Sequence, residues 1–340
     1  MAGGLTVLGA GSWGTALAGV LAGKGLPVYL CCRDPQHAAR MAAERENSAY
    51  LPGFKLAPGI QPTTDLGVVA ACRAVVMAVP SHGFRSVFKR VIPHLAPDTA
   101  IISATKGIEN DSLLTMTAVM AEELAAADPS PACHLGCLAG PSFAREVAEG
   151  LPTAVTVAAA SREEALFFQE LFFTQRFRVY IGTDLIGQEL GGALKNIIAI
   201  AAGISDGLGY GTNSRAALIT RGLAEITRLG VAMGANPLTF SGLAGLGDLV
   251  LTCTGDLSRN RSVGLKLGQG MSLAEILAEM RMVAEGVKTT RSARALAHRQ
   301  GVEMPILEEV YLVLYEDKPC RQAVYDLLAR EGKEELEFGG

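Results

Sequence analysis

The sequence predicts an α/β fold: a doubly wound, parallel-stranded N-terminal domain followed by an all-α C-terminal domain. Short β-branched runs alternate with helical patterns over the first half. Strand patterns stop after Tyr180 and Ile181. From Asp184 onward the apolar spacing is helical, broken only at SDGLGYGTN, SGLAGLGD and TGDLSRNRSVG. That shift divides the chain into residues 1–183 and 184–340.

Taken in order, strands are expected over 5–8, 28–32, 74–79, 99–104, 135–139 and 153–158. Helices are expected over 12–24 and 111–127. Strands separated by helices imply right-handed crossovers and a parallel sheet. Segment 47–64, with three prolines and two glycines, reads as a long surface loop. The charged tail EGKEELEFGG reads as loosely held.

At 340 residues, 49% apolar and 19% charged, the chain can bury a sizeable core in two domains. A formal net charge of −4 excludes a global basic field for nucleic acid or anionic membrane, so any bound anion must be caught locally. The seven cysteines have neither zinc-site spacing nor the density of a disulfide scaffold. His37, His82, His94, His134 and His298 are scattered, so no metal site is expected. Without a basic leader or a clean membrane-spanning stretch, a cytoplasmic setting is expected.

Gly9, Gly11 and Gly14 in LTVLGAGSWGTAL have GxGxxG spacing between a strand and a helix. Their jobs are a tight turn, close approach of backbone to a pyrophosphate, and close helix–strand packing. Helix N–H groups then face the phosphates, which is the Rossmann arrangement. Ser12 and Trp13 lie inside this turn, and Trp13 is expected to pack beside the cofactor. The second strand ends in LCCRDP, where a dinucleotide site often has an acidic residue. Arg33 comes first here and suits a 2′-phosphate, favouring NADPH with NADH allowed. Asp34 can cap the next helix while Arg33 is simply solvated; the two readings are compatible.

GGALKNIIAIAAG contains one charge, Lys195, in an otherwise apolar or amide run. On a helix its neighbours Gly191, Gly192, Ala199 and Ala202 are all small, predicting open space that a ligand could fill. The alternative is a stem laid along apolar surface with its ammonium in water. SRNRS at 258–262 is the strongest local anion trap: Arg259 can fork two bonds onto a phosphate, with Ser258 and Asn260 as neutral donors. The alternative is an exposed capping segment.

With SATKGIE, LAGPSFAREV, GALKNIIAIAAGISDGLGYGTN and GLGDLVLTCTGDLSRNR, the chain closely resembles the bacterial NAD(P)-dependent glycerol-3-phosphate dehydrogenase family, in order from about Gly9 to Glu285. The resemblance implies a Rossmann domain and a helical domain interconverting dihydroxyacetone phosphate and sn-glycerol 3-phosphate, feeding glycerophospholipid synthesis. It implies Lys195 as the proton donor and acceptor at the C2 oxygen, with Asp248 as its partner. Asp248 could instead be a turn aspartate bonding its own backbone. Desolvation and an adjacent Asp248 would move the Lys195 pKa in opposite directions, so no net shift is expected.

The family also places Ser258, Arg259 and Asn260 on the glycerol phosphate, with Arg259 near the cofactor. Lys106, beyond a strand's carboxyl end, is placed toward both ligands. Gly140 and Ser142 are implied to bond substrate, unless Pro141 and Ser142 merely begin a helix. Ala144, Val283 and Glu285 are implied at the cofactor by resemblance alone. A homodimer is the default assembly. A hydroxyacid or ketoacid reductase of the same plan, or a non-catalytic NADPH-binding sensor, are the competing readings.

Overall fold

The computed structural model describes residues 3–280, 283–332, 334 and 335. The strands are β1 (Gly4–Leu8), β2 (Val28–Cys31), β3 (Ile60–Thr63), β4 (Cys72–Met77), β5 (Thr99–Ser103), β6 (Cys133–Ala139), β7 (Thr153–Ala159) and β8 (Phe177–Gly182). They form one sheet in the order β3-β2-β1-β4-β5-β6-β7-β8. β1 to β6 run parallel, so their carboxyl ends share one edge. The chain winds outward from β1 to β3, then returns to β4 on the other side of β1. That reversal is where an open α/β sheet receives ligands. β5 is buried at every residue, as continuous apolar runs covered on both faces should be.

Three expectations are corrected. Segment 47–64 is not all surface loop: it contains β3, and Leu51, Leu56 and Ile60 join the core. β3 is a short edge strand, which is why Pro62 is tolerated there and why no alternation reveals it. The helix expected from residue 111 is Met116–Ala125, because Leu113 takes φ 62° and Thr115 is the extended N-cap.

The sheet is also not wholly parallel, since β7 runs antiparallel to β6. The connection between them holds only the five-residue helix Ala144–Ala148, about 7.5 Å long and too short to span the sheet as a crossover. The tail reading falls partly on residues 333 and 336–340, outside the described residues.

After β8, Asp184 caps the 23-residue helix Leu185–Gly207, about 34 Å of continuous structure. This central helix is buried from Gly187 to Ser205, the mark of a helix apolar on every face. It starts against the sheet, where Gln188 Nε2 donates to Thr156 Oγ1 on β7 (3.1 Å) and Glu189 accepts from the Thr117 N–H (2.9 Å). It ends inside the helical core, which also takes in Ile108 from the loop after β5.

Helix Arg259–Gly268 crosses the central helix backbone to backbone. A Cβ at Gly203 would overlap the Arg261 carbonyl, and one at Gly264 the Ile200 carbonyl. Gly207 and Gly268 meet in the next turn of the same contact. Gly203→Ala should therefore destabilise the protein by about 1–3 kcal/mol or more through overpacking. Gly19→Ala, on an exposed helix position with open space, should instead stabilise it by about 0.5–1 kcal/mol. Chemical denaturation of both variants checks the opposite signs.

Candidate active site

The central helix brings Lys195 to the carboxyl edge of the sheet, where it is only 6% exposed. The expected open space around it is filled by protein. Gly191 lies against the turn Leu243–Gly247, with the Ala244 carbonyl oxygen 2.6 Å from where a Cβ would stand. Gly192 faces the stem of Lys106, its Cγ 3.5 Å from the same construction. Small residues here allow backbone to close in rather than leaving a void. The turn at 243–247 is π-helical and delivers Asp248 as the first residue of helix Asp248–Thr254.

Asp248 is fully buried and lies between two ammonium groups. Lys195 Nζ donates to Oδ1 at 2.5 Å, and Lys106 Nζ donates to Oδ2 at 2.6 Å. Lys195 also donates to Thr252 Oγ1 (2.7 Å), while Lys106 donates to the Gly140 carbonyl (2.9 Å). Each ammonium has three donors, so each keeps one beyond these bonds. Ser142 Oγ shares the Gly140 carbonyl at 3.0 Å, and the helix after it begins at Ala144 rather than at Pro141.

Burial pushes the Lys195 pKa down to about 8, against the upward pull of Asp248 and with a further downward push from Lys106. The two opposing effects expected from sequence therefore do not balance; burial wins.

The SRNR segment opens the helix packed directly on the central helix. Ser258 caps helix Arg259–Gly268, its hydroxyl accepting from the Arg261 N–H at 3.2 Å. Asn260 is buried and donates to Asn196 Oδ1 (2.9 Å), the residue next to Lys195, while accepting from the Gly286 N–H (2.9 Å). Arg259 is exposed, and its guanidinium makes no hydrogen bond or ion pair among the described residues. Crowding by protein lowers its pKa and Glu285 raises it. With its surface open to water, the guanidinium remains a cation.

Glu285 itself crosses to the first half, accepting from the Ser81 N–H (3.3 Å) and hydroxyl (2.6 Å) at the helix after β4. A carboxylate at a helix N-terminus is favoured by the dipole there. Val283 is exposed beside it.

The glycine turn fits a pyrophosphate. Gly9 takes φ 108°, and a Cβ there would overlap the Ala78 carbonyl; one at Gly14 would overlap the Gly9 carbonyl. A Cβ at Gly11, by contrast, would meet nothing within 4 Å, leaving open approach to the backbone. Helix Ser12–Ala22 has no side-chain cap, so its first turn can receive an anion. Trp13 Nε1 donates to the Ala104 carbonyl (3.2 Å), two residues before Lys106, and Ala144 packs on the same core. Arg33 is exposed after β2, and Asp34 caps the next helix through the Gln36 N–H at 2.9 Å.

Sequence reasoning missed Thr252 and Ser81. Thr252 stands one helical turn after Asp248, so i,i+4 spacing could have revealed it. Ser81 carried no such signal.

Two family models cover most of the chain. The model described as the N-terminus of NAD-dependent glycerol-3-phosphate dehydrogenase matches residues 4–165, and its C-terminal counterpart matches 184–325. A glycerol-3-phosphate dehydrogenase (NAD(P)+) of Geobacter metallireducens is 59% identical over 97% of this chain and 98% of its own length. That of Desulfotalea psychrophila is 58% identical over the same shares. The crystal structure of glycerol-3-phosphate dehydrogenase from Coxiella burnetii superposes with a TM-score of 0.92 at 43% identity, over 96% of this chain and 99% of that one. With both halves of the model matched in order and relatives this similar end to end, the chain belongs to the NAD-dependent glycerol-3-phosphate dehydrogenase family.

Proposed function

We propose that the protein reduces dihydroxyacetone phosphate to sn-glycerol 3-phosphate, reversibly and with NADPH preferred over NADH, and so supplies glycerophospholipid synthesis. Residues 1–183 hold the nucleotide and residues 184–340 complete the substrate site. The observation that carries the reading is a buried lysine bonded to a buried aspartate, with one donor left over.

When bound, the nicotinamide supplies the hydride. Lys195 gives its remaining proton to the C2 oxygen as negative charge develops there, and takes it back in the reverse direction. A pKa of about 8 lets one group do both near neutral pH. Asp248 and Thr252 hold the Lys195 amine in place, and Asp248 holds Lys106 beside it. The second cation offsets charge on the substrate oxygens, with Gly140 and Ser142 lining the same wall. Arg259, whose guanidinium is exposed with Glu285 as its charged neighbour, takes the phosphate by two parallel charge-assisted bonds, with Ser258 and Asn260 beside it.

Gly9, Gly11, Ser12, Trp13, Gly14 and Ala144 line the nucleotide's pyrophosphate side. Arg33 faces the 2′-phosphate, while Val283 and Glu285 lie toward the nicotinamide. Seven free cysteines suit a reducing, cytoplasmic setting. No single helix among the described residues is long and apolar enough to cross a membrane. A two-fold homodimer is the commonest assembly for such a chain.

Purified protein should oxidise NADPH, and NADH more slowly, when dihydroxyacetone phosphate is added. Failure with both nucleotides would return the chain to the sensor or ketoacid readings. Lys195→Ala should lower turnover by about 10²–10⁴-fold, the usual worth of a positioned acid, with nucleotide affinity nearly unchanged. Wild-type turnover in that variant would remove Lys195 from the chemistry.

The pH dependence follows from the sign of the shift. Reduction needs the ammonium form, so kcat/KM for reduction should be level below the pKa of about 8 and fall above it. Oxidation should show the opposite limb.

A further inference from the structure

Asn47 lies in the segment that the sequence presents as loop, yet it is 0% exposed. Its Nδ2 donates to the Ala10 carbonyl at 2.9 Å and to Thr15 Oγ1 at 2.7 Å. A carbonyl can only accept, so the amide orientation is settled by the Ala10 bond. Its Oδ1 is buried with no hydrogen-bond partner among the described residues. Half of the carboxamide therefore carries an uncompensated desolvation cost, and its stabilising bonds all come from the NH₂ group.

The residue is itself held firmly. Its carbonyl accepts from the Leu51 N–H at 2.8 Å, and Leu51 and Leu56 pack into the core beneath the turn. Glu46 and Lys55 close the segment by a strand-like bridge and a 2.9 Å ion pair.

Ala10 sits between Gly9 and Gly11, where the backbone has the most freedom to turn over. In a planar trans peptide the carbonyl and the following N–H point in opposite directions. Holding the Ala10 carbonyl therefore turns the Gly11 N–H away from Asn47. The second bond, to Thr15, ties the first turn of helix Ser12–Ala22 to the same amide. One side chain thus sets the backbone on both sides of Gly11, the position whose Cβ would meet nothing.

We propose that Asn47 is a positioning residue for the dinucleotide: it locks the Ala10–Gly11 peptide in the orientation that receives the pyrophosphate. This rests on the reading that the glycine turn holds NADPH. Without Asn47 the peptide samples other orientations, and apparent affinity falls with the fraction that remains competent. Chemistry after binding is untouched.

Trp13 is the chain's only tryptophan and stands inside the turn, so its emission reports NADPH binding by energy transfer without turnover. Wild-type protein should show saturable quenching; its absence would sink the cofactor reading itself. Asn47→Ala should raise the NADPH Kd about tenfold, the worth of roughly one net hydrogen bond or slightly more. At saturating NADPH, its kcat and its KM for dihydroxyacetone phosphate should stay within about twofold, the signature of lost uniform binding.

An unchanged Kd overturns the proposal, and so does a fall in kcat with Kd intact, which marks a merely structural role. Should Asn47→Ala fail to fold, Thr15→Val decides. It removes one acceptor: a Kd raised about threefold supports the proposal, and an unchanged Kd overturns it.

Discussion

One buried carboxylate, shared by two ammonium groups, organises this protein. Asp248 is inaccessible to water, and an ionised carboxylate alone at such a depth would cost several kcal/mol. Lys195 and Lys106 compensate it from opposite halves of the chain. The cluster holds two positive charges against one negative, leaving a net positive charge in a poorly hydrated place. In the proposed reaction, a phosphorylated substrate with charge building on its carbonyl oxygen would supply what is lacking. The same depletion of water that makes the cluster costly lowers the Lys195 pKa, which suits the amine to proton transfer.

Such a cluster requires polypeptide backbones to come unusually close. Gly191 admits the turn that carries Asp248, and Gly192 lies against the stem of Lys106. Further along the same helix, Gly203 and Gly207 weld it to the helix that begins at Arg259. Lys195 and Arg259 are thus set on two rods packed backbone to backbone. Asn260 reinforces the spacing by bonding the residue beside Lys195. Glu285 reaches back to Ser81 and ties this assembly to the nucleotide half.

Much of this was legible in the sequence because it depends on local patterns. The glycine turn, the alternation of strands and helices, and the arginine-rich cap each announce themselves within a dozen residues. The lone charge at Lys195 also stood out, but its setting was misread. Small neighbours suggested space, whereas tertiary contacts turned them into surfaces for close packing. β3 is hidden by its brevity and by Pro62, and the reversal at β7 by the fact that how short the helix before it is does not show in the local pattern. Asn47 and Ser81 were invisible for a common reason: their partners lie 37 and 204 positions away in sequence. No local periodicity encodes such pairings.

The central claim is that burial, opposed but not cancelled by Asp248, holds Lys195 ready to lose its proton near neutral pH. The most direct measurement is an NMR titration of protein labelled with ¹³C at lysine Cε, with the Lys195 signal assigned by its loss in Lys195→Arg. A midpoint near 8 is predicted for Lys195 in the free protein. A midpoint at the ordinary lysine value of 10.5 would contradict the account.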